Sequence, residues 1–167
     1  VGIKVAEELN NSGFDIAVDF QPHIHSKEKW WFDINAWIDA FREKILRKKE
    51  FIMPIMYNYK DYIKMAYSSF FSKSLKEFPG ITPSWDNSPR RIGRSFYGLK
   101  NSTPELYGEW LQFLLKNFKP YSKEENFIFI NAWNEWAEGN HLEPDEKWGL
   151  AYLEETKKKL ELCNNIK

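Results

Sequence analysis

Apolar and polar residues alternate from Phe14 to Phe20, with Ile16, Val18 and Phe20 on one side and Asp15, Ala17 and Asp19 on the other. That period of two predicts a strand. The turn cluster Asn10-Asn11-Ser12-Gly13 precedes it and closes a weakly helical stretch over residues 3–9, and Gln21-Pro22-His23-Ile24-His25 leaves it as a loop. Ile34, Trp37 or Ile38, Phe41 and Ile45 recur at spacings of three and four, which predicts an amphipathic helix over 33–48. Residues 51–57 are apolar, but Pro54 argues against a central strand there. A second helix is predicted over 59–71, with Ile63, Tyr67 and Phe70 inward.

Residues 80–85 form a short predicted strand that runs into the polar loop Asp86-Asn87-Ser88-Pro89-Arg90-Arg91. Ser102-Thr103-Pro104-Glu105 then combines a hydroxyl N-cap, a first-turn proline and an acid near the positive end of the dipole. The helix it opens buries Tyr107, Leu111, Leu114 and Phe118. The unbroken run Phe127-Ile128-Phe129-Ile130 reads as a strand buried on both faces. Pro144-Asp145-Glu146 opens a last helix with Leu150, Leu153 and Leu160 inward.

Strand, helices, strand, helix, strand, helix is the order of right-handed crossovers over a parallel sheet, hence an α/β fold. Three strands are too few for a closed barrel, which usually takes about 250 residues. The chain therefore reads as one incomplete domain over 1–167, the C-terminal half of a TIM-type (β/α)8 barrel. Starting on Val1, in mid-domain sequence, it also reads as a fragment.

Composition narrows the function. The 167 residues carry 24 basic and 24 acidic side chains, so no net field favours nucleic acid or an anionic membrane surface. Arg47-Lys48-Lys49 and Lys157-Lys158-Lys159 fall late in predicted helices, where cations oppose the macrodipole. The single cysteine, Cys163, excludes an internal disulfide and is compatible with a reducing compartment, and no basic-then-apolar signal segment opens the sequence, so a cytoplasmic location is expected. No apolar run is long enough for a membrane span. Aromatic residues make up 17% of the chain, and a small core does not need eight tryptophans.

The chemistry gathers just past the last predicted strand. Asn131, Asn134, Glu135, Glu138, His141 and Glu143 are interleaved there with Trp133, Trp136 and Trp148, and α/β folds place their sites at such strand ends. On a helical turn, Glu135 and Glu138 would have Cβ atoms about 5–6 Å apart. Carboxylates at that range need not titrate alike, and glycosyl chemistry asks for one acid and one base. Indole faces suit the apolar C–H faces of a sugar ring. On the residues alone, the pair stays open between a solvated acidic loop and a catalytic site.

Trp85-Asp86-Asn87 repeats the theme as a hydroxyl-recognition cluster, with Arg90 and Arg91 able to orient a carboxylate or phosphate. The competing reading is an Asx turn followed by surface arginines. Asp19 is a candidate polar contact at the pocket rim, or a strand-end charge facing water. His23, His25 and His141 match no zinc-type spacing, so no metal is expected.

The stretch INAWNEWAEGNHLEPDEKWGLAYLE resembles the signature of WbsX-type proteins, described as glycosyltransferases of bacterial polysaccharide synthesis and related to glycoside hydrolase family 99, the endo-α-mannosidases. FDIAVDFQPH, PSWDNSPRR and STPELYGEWL match in the same order, so the resemblance covers nearly the whole chain. It implies a (β/α)8 barrel whose N-terminal half, with further sugar-binding residues, lies outside this chain. In the hydrolases the motif reads NEWHEG. Carried over by position, Glu135 would deprotonate a sugar 2-hydroxyl that attacks the anomeric carbon through an epoxide-like intermediate. Glu138 would protonate the leaving oxygen and then activate the acceptor.

Ala137 stands where the hydrolases have histidine, so one of their substrate contacts is absent here and their exact mannoside specificity is not carried over. Substrate contacts are expected from Asp19, His23, Trp85, Asp86, Asn87, Arg90, Asn131, Trp133, Asn134, Trp136 and Glu143. The expected partner is an oligo- or polysaccharide, joined by an activated sugar donor if the reaction is a transfer, and no cofactor is implied. The sequence has no glycine-rich phosphate cradle or DxD motif, which leans toward hydrolysis. The alternatives are a non-catalytic glycan-binding protein on the same scaffold, or an inactive gene fragment.

Overall fold

The computed structural model describes residues 13–22, 54–70, 76–91 and 96–164. The helices expected over 3–9 and 33–48, and His23 and His25, lie outside the described residues. The elements run β1 (Ala17–Val18), β2 (Pro54–Asn58), α1 (Tyr59–Phe70), β3 (Glu77–Phe78), β4 (Gly80–Ile81), β5 (Trp85–Asp86), a 3-10 turn (Ser88–Arg90), β6 (Phe96–Lys100) and α2 (Pro104–Asn117). β7 (Phe129–Ile130), β8 (Asn134–Glu135), a second 3-10 turn (Trp136–Glu138), β9 (Asn140–His141) and α3 (Ala151–Asn164) complete them.

The expected parallel strands are present, in sequence order across the sheet. β3 and β4 are one extended segment interrupted by Pro79, which has no N–H to donate. β1 pairs parallel with β3, and β7 pairs parallel with β4 on the other side. The amide of Asp19 donates to the Phe78 carbonyl at 2.9 Å, and the amides of Phe129 and Asn131 donate to Pro79 and Ile81, each at 2.9 Å. This is an α/β arrangement of parallel strands and helices. β2 stays out of that ribbon and lies in a separate sheet of order β2-β6-β5. Pro54 is its first residue, a position where a missing N–H is tolerated.

Several expectations need correction. β6 pairs antiparallel with β5, and β8 with β9, so the sheets are not wholly parallel. Phe127 and Phe129 are 51% and 45% exposed, not buried on both faces. β7 has a strand neighbour on one side only among the described residues, and an apolar run does not reveal how many neighbours it has. Val18 and Phe20 are exposed as well, because a two-residue period defines two faces without choosing the covered one. Pro144 does not open the last helix. Residues 145–149 form a turn, and α3 begins at Ala151 with Tyr152 buried and Leu150 and Leu160 exposed.

The core forms where α1 and α2 meet the sheets. Thr103 caps α2, accepting from the Leu106 amide at 3.3 Å, and Pro104 follows. Trp110 takes the edges of Tyr59 and Tyr62 from α1, with Leu111 and Leu114 buried beside it. The Tyr59 hydroxyl donates to the Thr82 carbonyl at 2.5 Å, and Tyr62 donates to the Gln21 side chain. Burial pushes both the Tyr59 and Tyr107 hydroxyls up, Tyr107 to about 12. α1, backed by Trp110 of α2, thus holds the chain just past β1 and β4.

Candidate active site

Past β7 the chain turns through Asn131 and Ala132, joined by a cis peptide, into a hairpin. β8 and β9 pair Asn134 with His141 and Glu135 with Asn140, and Trp136–Glu138 forms the tip. Gly139 closes the tip at φ 55°, where a Cβ is disfavoured. A Cβ there would also sit 3.2 Å from Asp86 Cβ and 3.3 Å from its amide nitrogen, so the hairpin lies directly on β5. Ser84 Oγ donates to the Gly139 carbonyl at 2.5 Å, and the Thr82 hydroxyl reaches the Asn140 side-chain oxygen at 2.9 Å. At the hairpin base, the amides of Leu142 and Glu143 donate to the Trp133 carbonyl at 2.9 Å each.

This stitching brings the two acids onto one cation. Arg90 Nη1 lies 2.6 Å from Glu138 Oε1 and 3.7 Å from Glu135 Oε1. Both carboxylates therefore point to the same side of the hairpin, toward the 3-10 turn after β5. Glu138 is the more enclosed, its side chain 20% exposed against 43% for Glu135. Half-exposed ion pairs add little stability, so the contact matters for where the charges sit.

A second set of contacts fixes the indole between the acids. Trp136 Nε1 donates to Glu143 Oε2 at 2.7 Å, and its ring stacks on His141 with centroids 3.8 Å apart and planes 23° apart. His141 Nε2 lies 2.9 Å from Asp145 Oδ2. Desolvation pushes the Asp145 carboxyl up, but hydrogen bonds from the Trp148 amide, the His141 ring and the Lys147 amide outweigh it and hold the group below its ordinary value. Trp136 remains 48% exposed, and Trp133 is 53% exposed.

The other predicted residues divide. Asp86 Oδ1 accepts from the Ser88 amide at 2.9 Å, the Asx turn of the competing reading. Asn87 is buried, and its Oδ1 accepts from the Tyr97 amide at 3.2 Å. Trp85 is only 5% exposed and stacks on Tyr97, so it belongs to the core and offers no open face for a sugar. Asp19 and Asn131 line a different cleft of about 130 Å³ with Gln21, Gly80 and Phe129. There Asp19 accepts from Gln21 Nε2 at 3.0 Å, and Asn131 Nδ2 donates to the Gln21 carbonyl at 2.7 Å. Asn134 is exposed on the hairpin.

Sequence reasoning missed Tyr97 and the His141–Asp145 pair. Burial first, and the neighbouring Glu138 charge second, push the Tyr97 hydroxyl up, with Arg91 opposing. Only the i, i+4 spacing of His141 and Asp145 hinted at that pair, and the residues were weighed apart. Among the described residues, no three His, Cys, Asp or Glu side chains gather as a metal site, and no helix is long and apolar enough to cross a membrane.

Residues 2–156 match the family described as Glycosyltransferase WbsX, a carbohydrate-active class. The chain belongs to this WbsX glycosyltransferase family. Proteins named WxcX, described as uncharacterized, from Xanthomonas campestris pv. campestris strains B100 and ATCC 33913 are each 42% identical over 84 residues. Those residues are 50% of this chain and 12% of WxcX, so the chain matches a small part of these relatives' length. No solved structure matches the chain.

Proposed function

We propose that this chain carries the acid pair of an enzyme acting on glycosidic bonds in bacterial surface-polysaccharide metabolism. Its parallel strands and helices would form the C-terminal part of a (β/α)8 barrel completed outside this chain. Glu135 takes a proton from a sugar hydroxyl beside the anomeric carbon, and that oxygen displaces the leaving group. Glu138 gives its proton to the leaving oxygen and then draws one from the incoming acceptor. The acceptor attacks the anomeric carbon as that carbon's bond to the sugar's own oxygen breaks, and Glu135 returns its proton to that oxygen. Water as acceptor gives hydrolysis, and a sugar hydroxyl gives transfer.

The observation that carries this reading is the convergence of Glu135 and Glu138 on one nitrogen of Arg90. Their contacting oxygens are no further apart than those two distances placed end to end. Acids gathered this closely can act on neighbouring atoms of one sugar residue, one at a hydroxyl beside the anomeric carbon and one at the leaving oxygen. Trp136 and Trp133 supply exposed indole surface on the segment that carries the acids.

The test is Glu135→Gln and Glu138→Gln in the full-length protein, incubated with bacterial surface polysaccharide while new reducing ends and transferred sugars are counted. Each change should lower turnover by a factor of about 10²–10⁴ while glycan binding persists. Binding without turnover in the unaltered protein would favour a glycan-binding module instead.

A further inference from the structure

Trp136 is held on two sides. Its N–H is committed to Glu143, which fixes rotation about the ring edge, and one face is covered by the His141 imidazole. The imidazole is itself anchored: Nε2 faces the Asp145 carboxylate, and Nδ1 is buried with no hydrogen-bond partner among the described residues. Facing a carboxylate acceptor, Nε2 is the ring nitrogen that donates. Asp145 in turn accepts from the Trp148 amide and, through its carbonyl, from Gly149. A turn of backbone amides therefore holds Asp145, Asp145 holds His141, and His141 holds the indole plane. With one face and the N–H occupied, the 48% of Trp136 that stays exposed is drawn chiefly from the opposite face, at the tip of the hairpin that carries both acids.

We propose that the outer face of Trp136 is a pyranose-stacking subsite at the tip of the acidic hairpin, and that His141 and Asp145 are its positioning residues. The proposal deepens the glycosidic-bond reading and rests on it. A flat, rigid apolar face with no spare hydrogen-bonding group selects a sugar ring that presents axial or equatorial C–H groups on one side. It makes little of an open-chain polyol, which has no such face. Because the plane is set before the sugar arrives, binding does not have to order the ring.

The test uses the full-length protein labelled with 5-fluorotryptophan, the Trp136 fluorine resonance being assigned by its loss in Trp136→Phe. Methyl α-pyranosides of mannose, glucose and galactose are titrated in, with sorbitol as the open-chain control. The Trp136 resonance should move saturably with at least one pyranoside and not with sorbitol. His141→Gln removes the ring face, and Asp145→Asn weakens its anchor. Each should shift the Trp136 resonance and raise the pyranoside midpoint about tenfold while the other tryptophan resonances stay in place. His141→Phe, which restores a ring face, should recover part of the loss.

No movement with any pyranoside, or equal movement with sorbitol, overturns the subsite. A wild-type resonance and midpoint in both His141→Gln and Asp145→Asn overturns the positioning role. These outcomes are separable from the acid pair: turnover that vanishes in the glutamine variants while Trp136 ignores pyranosides sinks the subsite alone. A saturable ring contact in a protein without turnover sinks only the enzymatic reading.

Discussion

Gly80 lies against the backbone of Asp19 so closely that a Cβ built on it would fall 1.9 Å from the Asp19 carbonyl oxygen. The obstacle is main chain in the parallel ribbon, so no side chain can swing away to make room. Gly80→Ala must part β1 from the strand beside it. We expect a loss of about 2–4 kcal/mol, read as a fall of roughly 1–2 M in the urea midpoint. An unchanged midpoint would show that β1 does not pack there.

Arg90→Ala should separate stability from activity. The contacts with Glu135 and Glu138 are half exposed, so the melting temperature should move by no more than a few degrees, matching about 1 kcal/mol or less. Turnover should fall about 10–100-fold as the carboxylates lose their common partner, and Arg90→Lys, which keeps a cation, should fall between. Equal losses in stability and activity would count against a role in placing the acids.

At Gly139 two costs can be told apart. The left-handed backbone penalises any Cβ, while asparagine suffers least among the non-glycine residues. Gly139→Ala should cost about 1–2 kcal/mol, and Gly139→Asn should recover part of it. If both cost the same, crowding against Asp86 dominates the backbone term. Hydrogen exchange at residues 134–141 is the local measure.

Acid should loosen the turn after the hairpin first. The folded Asp145 carboxyl sits below its ordinary value near 3.8, so its contribution is fully present above that value and is lost as the pH falls through the lower folded one. Asp145→Asn should abolish that part of the acid sensitivity, seen as a flatter stability curve below pH 4.

Alkali acts through the tyrosines. Tyr67 and Tyr107 keep their protons to about 12, whereas unfolded tyrosines ionise near 10. Between those values the unfolded chain binds fewer protons, so stability falls as pH rises. Tyr107→Phe should blunt that fall in a denaturant series from pH 9 to 12, at the cost of its contact with Thr156.

Much of the frame was legible because it rests on local chemistry. Pro54 could be read as unfit for a central strand, and it opens a strand outside the parallel ribbon. The hydroxyl-proline-acid sequence at 103–105 could be read as a helix start, and it is one. What stayed hidden depends on distant partners. An indole before Asp and Asn looks the same whether it faces a ligand or, like Trp85, fills a core closed by Tyr97. Leu150 and Leu160 have the apolarity of inward residues, yet α3 turns Tyr152 toward α2 instead. The convergence of Glu135 and Glu138 needs Arg90, more than forty residues upstream, and no spacing rule reaches that far.

The bonds from Thr82 and Ser84 to the hairpin, and the seat of Gly139 on Asp86, bear on any attempt at transplantation. Residues 134–141 grafted alone into a foreign scaffold would arrive without the bed that aims them. The portable unit is a two-piece cassette, 82–90 with 134–141, and drift in either piece would be corrected by change in the other.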